Sequence, residues 1–600
     1  MGAMLGRSMR PRLRLPRLEP ETQFLLLAAA VGAAGALGNE AFRRAIHFSQ
    51  RLFHGETEDL LRPVGRISES LLVVLIPALG GLAVGLLRQV SKQKVGGYAM
   101  PGFLEAVNLK AAKLSFQNTL LRTLAAVITL GSGGSAGVEG PMASLGGSLG
   151  ALVARTRRIV GEKLRVLVAC GSSAAIAAAY GAPIAGVFFT QEIVLAGNYD
   201  LQNFVRVVVA SGTATVISRA LRGDEAAFTL DYPFQLVSIA EVGFYLALGL
   251  WCGIVGAFFS RIFYWVQGRF DALQASPLYK PALGGAMVGV IAILSPGVLG
   301  AGDEVIGELV RTPPFEGGWV LVGLVTLIVA KMLATAVTIG SGGAGGVFGP
   351  SLFLGAALGA VVGSVAHHFA PEMAGMPGHY AMVGMGALLA ATARAPLTSI
   401  FLVFEMTGSS STAVLPTLVA VAAAIYTARR MEPYSIDEMG LARRGIVLKE
   451  GREASVLGAI TVAQAMRPGC ERLPSDLPAP RLVALVSQSR SNAFVVVDPD
   501  ERMIGILSIQ DLRVLDQRTA DELGLLTIAA DLCERDVVSV YPDDSLAEAL
   551  ARLDLHGYRQ LPVVERADPR RVLGMIERRH ILSAYQRALA NPTEEPAAAG

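Results

Sequence analysis

The sequence GSGGSAGVEGP at residues 131–141 returns, almost unchanged, as GSGGAGGVFGP at residues 340–350. In the first copy a single glutamate, Glu139, stands among glycines inside a long apolar region, and in the second copy Phe348 takes its place. Glycines followed by a Gly-Pro step let a backbone turn sharply and begin a helix inside the protein. The repeated phrase therefore predicts two equivalent helix starts, and Glu139 is the first candidate for a functional residue.

The composition excludes an ordinary soluble enzyme. Of the 600 residues, 52% are hydrophobic and 17% are charged, whereas average soluble proteins carry about a quarter charged residues. Apolar runs such as 70–87 and 319–339 approach the ~20 residues that cross a bilayer, so we expect a multi-pass membrane protein. Five arginines within residues 7–17 precede the first apolar run, and the positive-inside tendency then places the N terminus in the cytoplasm.

Two matched stretches in the same order reveal an internal duplication. Residues 131–151 match 340–360 at an offset of 209, and residues 171–192 match 384–405 at an offset of 213. Duplicated membrane halves with glycine interruptions at corresponding places predict a solute site at the interface of the two halves.

The glycine phrases predict an anion site made of helix starts. The first turn of a helix leaves N–H groups unpaired and carries about half a positive charge. Several such starts bind an anion without a buried lysine or arginine, which would be costly at this depth. A carboxylate is itself an anion, so Glu139 would block the site until it is protonated or displaced by an ion. The alternative is a structural glutamate that caps a helix start; the duplicated phrase favours the gate.

The composition changes near residue 430, where a polar tail with two similar halves begins. Each half places a helix before a β-rich hairpin, as in AFVVVDPDERMIGILSIQDLR at residues 493–513. These features resemble a tandem pair of CBS modules, cytosolic α/β units that often bind adenine nucleotides. The predicted boundaries are a basic cytoplasmic segment 1–20, a transmembrane region 21–440 with repeat halves at about 70–220 and 280–427, a linker 441–460, the tandem pair 461–586 and a disordered tail 587–600.

Four motifs resemble, in order and spacing, those of the CLC family of chloride channels and anion/proton exchangers. They are GYAMP (97–101), where the family most often has GSGIP, GVEGP (137–141), similar to GREGP, GGVFGP (345–350) and MEPYS (431–435). The resemblance implies an all-α polytopic membrane fold with an inverted internal repeat, and a homodimer with one pore in each subunit. It implies that Glu139 is the gate and that the following residues contact the ion: Tyr98, Ala99, Met100, Val138, Glu139, Gly140, Val347, Phe348 and Tyr434.

Three positions depart from the family's pattern. Tyr98 stands at the usual serine, where its larger phenol would donate a hydrogen bond to the ion or narrow the inner path. Val138 replaces the common arginine beside the gate, which changes the potential that acts on Glu139. Ile193, ten residues after Pro183, stands where exchangers place an inner proton-relay carboxylate, and its side chain carries no proton.

A neighbouring acid does not replace the missing relay. Glu192 precedes Ile193 and recurs as Glu405 in the second half. Successive helix positions point about 100° apart, so Glu192 faces a different direction. We expect it to be a structural carboxylate near a helix end.

The resemblance to CBS modules implies a nucleotide site in the tail. Ser508 and Asp511, in GILSIQDL, stand where such modules hold ribose or phosphate. The second half has Glu577 and His580 at these places, and a negative Glu577 would repel phosphate. A regulatory adenine nucleotide and a purely structural, dimer-stabilising tail remain the two alternatives.

The sequence as a whole predicts a transporter of chloride or a similar small anion and no enzyme. The missing carboxylate at Ile193 favours a passive channel, and the alternative is a proton-coupled antiporter of chloride or fluoride. A CBS-regulated divalent-cation transporter is a third hypothesis, although a cation path would be lined by several carboxylates. We expect no required cofactor or metal, no nucleic-acid partner, and a homodimer in a bacterial inner membrane with both the N terminus and the tail in the cytoplasm.

Overall fold

The computed structural model gives the backbone and side chains of most of the chain. It describes residues 19–56, 66–91, 95–110, 112–197, 201–223, 227–228, 234–311, 318–408, 411–446, 456–458, 460–489, 491, 493–508, 527–556 and 558–590.

The transmembrane region is almost entirely helical. Among the described residues, eight helices are long and apolar enough to cross a bilayer, in agreement with a multi-pass membrane protein. In chain order the elements are α1 (Pro20–Gln50), α2 (Arg66–Ser91), β1 (Gly97–Tyr98), α3 (Met100–Asn108), α4 (Phe116–Gly131), α5 (Glu139–Thr156), α6 (Glu162–Tyr180), α7 (Pro183–Phe189), α8 (Leu201–Arg222), α9 (Glu241–Ala272), α10 (Lys280–Leu294), α11 (Asp303–Arg311), α12 (Gly318–Gly340), β2 (Ala344–Gly345), α13 (Phe348–Phe369), α14 (Pro377–Ala393), α15 (Pro396–Thr407), α16 (Val414–Met431) and α17 (Ile436–Ala442).

The helices form two copies of one pattern, α1–α8 and α9–α16. The helix starts of α5 and α13, at Glu139 and Phe348, are offset by 209, and those of α7 and α15, at Pro183 and Pro396, by 213. Corresponding helices also make corresponding contacts, since α1 packs on α6 and α8 as α9 packs on α14 and α16. The predicted duplication is confirmed, and each copy begins one long helix earlier than the predicted limits.

Glycines let the innermost helices approach closely. A Cβ on Gly146 would collide with the backbone oxygen of Gly171, where α5 crosses α6. The equivalent crossing of α13 and α14 has the same restriction, because a Cβ on Gly355 would collide with the oxygen of Gly384. Small residues at helix crossings give backbones the close contact that packing in lipid requires. Every residue of α14 is buried as a result.

In each repeat, one glutamate caps the start of a helix in the other repeat. Glu405, near the end of α15, accepts hydrogen bonds from the N–H groups of Ile184 and Ala185 at the start of α7, at 3.0 and 2.8 Å. Glu192, just after α7, accepts them from Leu397 and Thr398 at the start of α15, at 2.9 and 2.8 Å. Unpaired N–H groups of a helix start are costly inside a membrane, and each glutamate satisfies a pair of them.

The polar tail is an α/β pair, as predicted. Its strands form two three-stranded sheets, in the orders β4-β5-β6 and β3-β8-β7. The halves exchange segments, because β3 of the first half pairs with β8 of the second, and Glu534 of the second half pairs with Ile506 of the first. The elements are α18 (Val462–Ala465), β3 (Arg467–Pro468), β4 (Arg472–Pro474), α19 (Ala479–Gln488), β5 (Ala493–Val497), β6 (Met503–Ser508), α20 (Ala529–Leu532), α21 (Leu546–His556), β7 (Gln560–Val564), β8 (Val572–Glu577) and α22 (Arg578–Ala590).

The boundaries of some segments differ from the predicted ones. The last transmembrane helix, α17, runs to Ala442 and so enters the predicted linker. The last helix of the tail, α22, runs to Ala590, past the predicted limit of residue 586. A helix of this length continues while its apolar face packs on the tail core, where Ile581 and Ala584 are buried. Residues 1–18 and 591–600 lie outside the described residues.

The reciprocal caps predict a loss of stability when either carboxylate is removed. Glu405→Ala should lower the free energy of unfolding by about 1 kcal/mol, the usual cost of a lost helix cap. Glu192→Ala should cost at least as much, because Glu192 also accepts a hydrogen bond from the Thr398 hydroxyl at 2.6 Å. Thermal unfolding of the purified protein in detergent measures both. Glu372→Ala, at an exposed carboxylate between α13 and α14, is the control, and equal midpoints for all three variants would contradict the capping role.

Candidate functional site

The two glycine phrases pair with each other. The Gly137 N–H donates to the Gly346 oxygen and the Gly346 N–H donates to the Gly137 oxygen, each at 2.7 Å. Gly346 is the residue equivalent to Gly137 at the offset of 209, so a local two-fold axis runs between them. This antiparallel pairing of equivalent residues places the two repeats in inverted orientations. It also brings the first turns of α5 and α13 side by side.

A threonine hydroxyl of each repeat also accepts a hydrogen bond from the glycine-rich turn of the other repeat. Thr338 Oγ1 accepts from the Ser135 N–H at 3.1 Å, and Thr129 Oγ1 accepts from the Ala344 N–H at 3.0 Å. The two bonds are equivalent, because Thr129 corresponds to Thr338 and Ser135 to Ala344 at the offset of 209. Irregular backbone at membrane depth is stable only where protein or water satisfies its polar groups, and these hydroxyls satisfy two of them.

Glu139 lies at the meeting point of these helix starts. It is the first residue of α5, its side chain is 2% exposed, and its Oε1 accepts a hydrogen bond from the Tyr180 hydroxyl at the end of α6. Its Oε2 has no hydrogen-bond partner among the described residues. Glycines leave the room for it, because a Cβ on Gly137 would collide with Oε2 and one on Gly349 would come within 3.1 Å of Oε1.

A central cavity of about 360 Å³ surrounds this carboxylate. Residues of the first turns of α5 and α13 form part of its wall, so the positive ends of two helices lie beside the same space. Such a wall attracts anions. Six of the predicted ion-contact residues line the cavity: Tyr98, Met100, Glu139, Gly140, Val347 and Phe348.

The remaining predicted ion contacts do not line the central cavity. Ala99 lines a separate cavity of about 830 Å³ beside α4, and Val138 packs against the hydrophobic core. Tyr434 lies before Ser435, the cap of α17, and is partly exposed. The first turn of α17 supplies Ile436 and Asp437 to the cavity wall instead. The ion contact of Tyr434 stays a prediction, and the helix that reaches the cavity begins after this residue.

The wall around Ile193 is apolar. Ile193 lines the cavity beside Phe189 and Phe348, whose rings meet edge to face at 5.9 Å. The adjacent Glu192 is turned away, since its oxygens are bound to N–H groups of α15. The prediction that Glu192 is a structural carboxylate is confirmed.

The sequence interpretation missed a second buried carboxyl group in the cavity. Asp437, which is 6% exposed, accepts a hydrogen bond from the Tyr98 hydroxyl. The two residues are 339 positions apart in the chain. An aspartate three residues after Tyr434 was the available signal, but the first turn of a short helix after a polar segment usually carries acids for capping alone.

The proposed nucleotide residues of the tail are only partly described. Ser508 ends β6, and Asp511 lies outside the described residues. In the second half, the Glu577 carboxylate at the end of β8 pairs with Arg579 at 2.7 Å. Burial lowers the pKa of the His580 imidazole, so this histidine adds no positive charge at neutral pH. Arg579 offsets the negative charge of Glu577, and the nucleotide site of the tail stays a prediction.

Family comparisons agree with this architecture. Residues 79–429 match the model of the voltage gated chloride channel family, and residues 462–516 and 529–587 each match the model of the CBS domain. A chloride channel protein of the ClcB-like type from Ralstonia nicotianae is 36% identical over 423 residues, which are 70% of this chain and 96% of the relative. Chloride channel protein CLC-f of Arabidopsis thaliana is 30% identical and covers 93% of this chain and 80% of its own length.

Solved structures show the same fold. A slow cyanobacterial Cl⁻/H⁺ antiporter superposes with a TM-score of 0.64 at 26% identity, covering 71% of this chain and 98% of that protein. A eukaryotic CLC transporter, at 20% identity and a TM-score of 0.62, covers 93% of this chain and shares the fold through the tail.

The glycines around Glu139 predict that a single methyl group moves it. In Gly137→Ala the new Cβ would occupy the place of Oε2, so we expect the Glu139 side chain to turn out of its present position. An electron cryo-microscopy map of the variant shows this directly. Gly140→Ala is the matched control, since its Cβ would meet its nearest neighbour at an ordinary 3.6 Å and should leave the carboxylate in place. A Glu139 side chain that keeps its position in Gly137→Ala would contradict the steric argument.

Proposed function

The chain belongs to the voltage-gated chloride channel family and carries two CBS domains, and on this premise we propose that it moves chloride or a similar small anion through the central cavity, with Glu139 as the gate. The observation that supports this proposal most strongly is the position of the Glu139 carboxylate. It fills the space where the first turns of α5 and α13 converge, and one of its oxygens is unpartnered among the described residues. Because the matched family is that of chloride channels, the hypothesis of a divalent-cation transporter is not retained.

The gate works by competition between two anions for the same electropositive space. While Glu139 is ionised and held by Tyr180, its carboxylate takes the place of a transported ion. Protonation removes its charge, and displacement by an ion removes its occupancy, so either event opens the path. Helix N–H groups bind an anion at moderate strength, which allows the ion to leave again as conduction requires.

We propose passive conduction as the mode of transport. Exchange of an anion for a proton needs a proton carrier between the cavity and the far side of the membrane. The wall at Ile193 is made of hydrocarbon and aromatic side chains, which carry no proton. Proton-coupled exchange is the second candidate, and it is favoured by the 26% identity with a protein described as a Cl⁻/H⁺ antiporter and by the presence of another carboxyl group, Asp437, in the same cavity.

The assembly and orientation that we propose follow from the family and from charge. The protein is a homodimer with one path per subunit, in a bacterial inner membrane. The arginines of residues 7–17 keep the N terminus in the cytoplasm, and the tail lies on that side as well.

Removal of the gating charge should abolish the part of the pH dependence that Glu139 causes. Wild-type anion flux should rise as the pH falls, because protonated Glu139 no longer competes with the ion. In Glu139→Gln this residue should leave the path open at all pH values, since an amide carries no charge. Chloride efflux from liposomes, measured from acidic to neutral pH, reports both. The exposed Glu372→Gln should behave as wild type, and a Glu139→Gln protein with unchanged pH dependence would remove the gate assignment.

The mode of transport follows from a gradient experiment. Liposomes with equal chloride on both sides and an imposed pH gradient should show no net chloride movement when the membrane potential is clamped at zero. Passive conduction has no other driving force under these conditions. Parallel runs with fluoride, nitrate and bromide give the selectivity. Uphill chloride accumulation driven by the pH gradient alone would establish proton-coupled exchange in place of the passive mode.

A further inference from the structure

Two tyrosine–carboxyl pairs lie at the central cavity. The Tyr180 hydroxyl donates to Glu139 and the Tyr98 hydroxyl donates to Asp437, and both carboxyl groups line the cavity. Both carboxyl groups are buried, with 2% and 6% of the residue exposed. The function proposed above uses the first pair only. The second pair has the same chemistry and lines the same cavity.

Tyr98 separates the central cavity from a second one. It lines the central cavity and also a vestibule of about 630 Å³ between α9 and α17. Asp437 lines the central cavity beside it. An ion that passes between the two spaces must therefore pass the bonded Tyr98 and Asp437 side chains. The vestibule is lined further by Tyr264, Gln267, Asp271, Arg443 and Arg444.

The vestibule is suited to collect anions. Arg443 and Arg444 lie in its wall with the carboxylate of Asp271. Glu105 pairs with Arg444 at 3.3 Å and also with Lys110 at 2.8 Å, so three basic groups stand against two acidic ones. They follow α17 directly, on the side where the chain continues towards the CBS domains. The positive charge of the vestibule raises the local concentration of anions, and the Asp437 carboxylate beside Tyr98 opposes their entry into the central cavity.

Neighbouring elements hold the pair in place. The Tyr98 ring packs edge to face on Phe263 of α9 at 5.5 Å, and its backbone pairs with Gly345 of the second glycine phrase. The Tyr264 hydroxyl donates to the Ile436 oxygen at 2.7 Å, which ties the first turn of α17 to α9. Because the backbone is held at Tyr98 and at the first turn of α17, a rotation of the Tyr98 side chain opens the connection between the two cavities at the cost of one hydrogen bond.

We propose that Tyr98 and Asp437 form a second gate, which closes the central cavity towards the basic vestibule and opens when Asp437 is protonated or Tyr98 turns away. The proposal rests on the anion path proposed above. The groups that face Asp437 are the phenols of Tyr98 and Tyr264, while Glu438 is its neighbour on α17 and Arg443 lies over the Tyr264 ring. An ionised Asp437 repels an arriving anion. A protonated Asp437 carries no charge, and its carboxyl O–H can donate a hydrogen bond to the ion.

The test uses full-length protein in liposomes and a background without the first gate. Glu139→Gln should still conduct chloride and should retain the pH dependence that belongs to Asp437 alone. The double variant Glu139→Gln/Asp437→Asn should lose this remaining pH dependence. At neutral pH its flux should be roughly tenfold higher than that of Glu139→Gln, because a hydrogen bond to a charged group is worth about this factor in an equilibrium.

A second variant separates gating from a structural role of Asp437. Glu139→Gln/Tyr98→Phe keeps the aromatic ring and its packing and removes only the hydroxyl that donates to Asp437. It should conduct faster than Glu139→Gln while it keeps the pH dependence, because the carboxyl group still titrates. Glu139→Gln/Asp271→Asn removes the other vestibule carboxylate and should keep the pH dependence unchanged.

The outcomes distinguish a failure of the second gate from a failure of the proposed anion path on which it rests. Chloride flux in Glu139→Gln that is already independent of pH, and that neither second substitution increases, would overturn the second gate and leave the anion path intact. Absence of chloride flux in the wild type and in Glu139→Gln would overturn the path and the second gate together.

Discussion

The need to satisfy backbone polar groups inside a membrane is the constraint on which this structure depends. The glycine phrases and the Ala-Pro steps interrupt helices at depth, and each interruption exposes N–H groups where no lipid can bond them. Each half supplies hydrogen-bond partners to the interrupted helices of the other half. Gly137 and Gly346 bond each other, Thr129 and Thr338 bond the opposite turn, and Glu192 and Glu405 cap the opposite helix. Each half therefore supplies part of the hydrogen bonding at the interruptions of the other, which stabilises the two halves as a pair.

The same arrangement creates the site. The first turns of α5 and α13 line a shared cavity, and the positive ends of these two helices favour an anion there. The two-fold relation makes the frame symmetric, but one position breaks it. Glu139 in the first half corresponds to Phe348 in the second, so the cavity has a carboxylate at one of these two positions while its counterpart packs against Phe189. The scaffold is symmetric, and the side chain that we propose as the gate is not.

The hydrogen-bonded pair of Tyr98 and Asp437 accounts for one departure from the family's motifs, the tyrosine at position 98. Tyr98 in place of a small serine would narrow the inner path if its phenol had no partner. The hydrogen bond to Asp437 gives the larger ring a defined position and adds a negative group beside it. The tyrosine and the aspartate are therefore complementary. Nothing comparable explains the valine at position 138, whose side chain packs in the core.

The amino-acid sequence determined the class of the protein, its duplication and the carboxylate that we propose as the gate, because composition, helix starts and repeated phrases are local features of the chain. It also located six of the cavity residues, since each belongs to one of the three motifs whose backbones meet. Only the tertiary structure decided the rest. The reciprocal caps join residues more than 200 positions apart, and the bond between Tyr98 and Asp437 spans 339. Contacts of this kind depend on how helices cross and where each begins, so Tyr434 lies before its helix and Asp437 reaches the cavity instead.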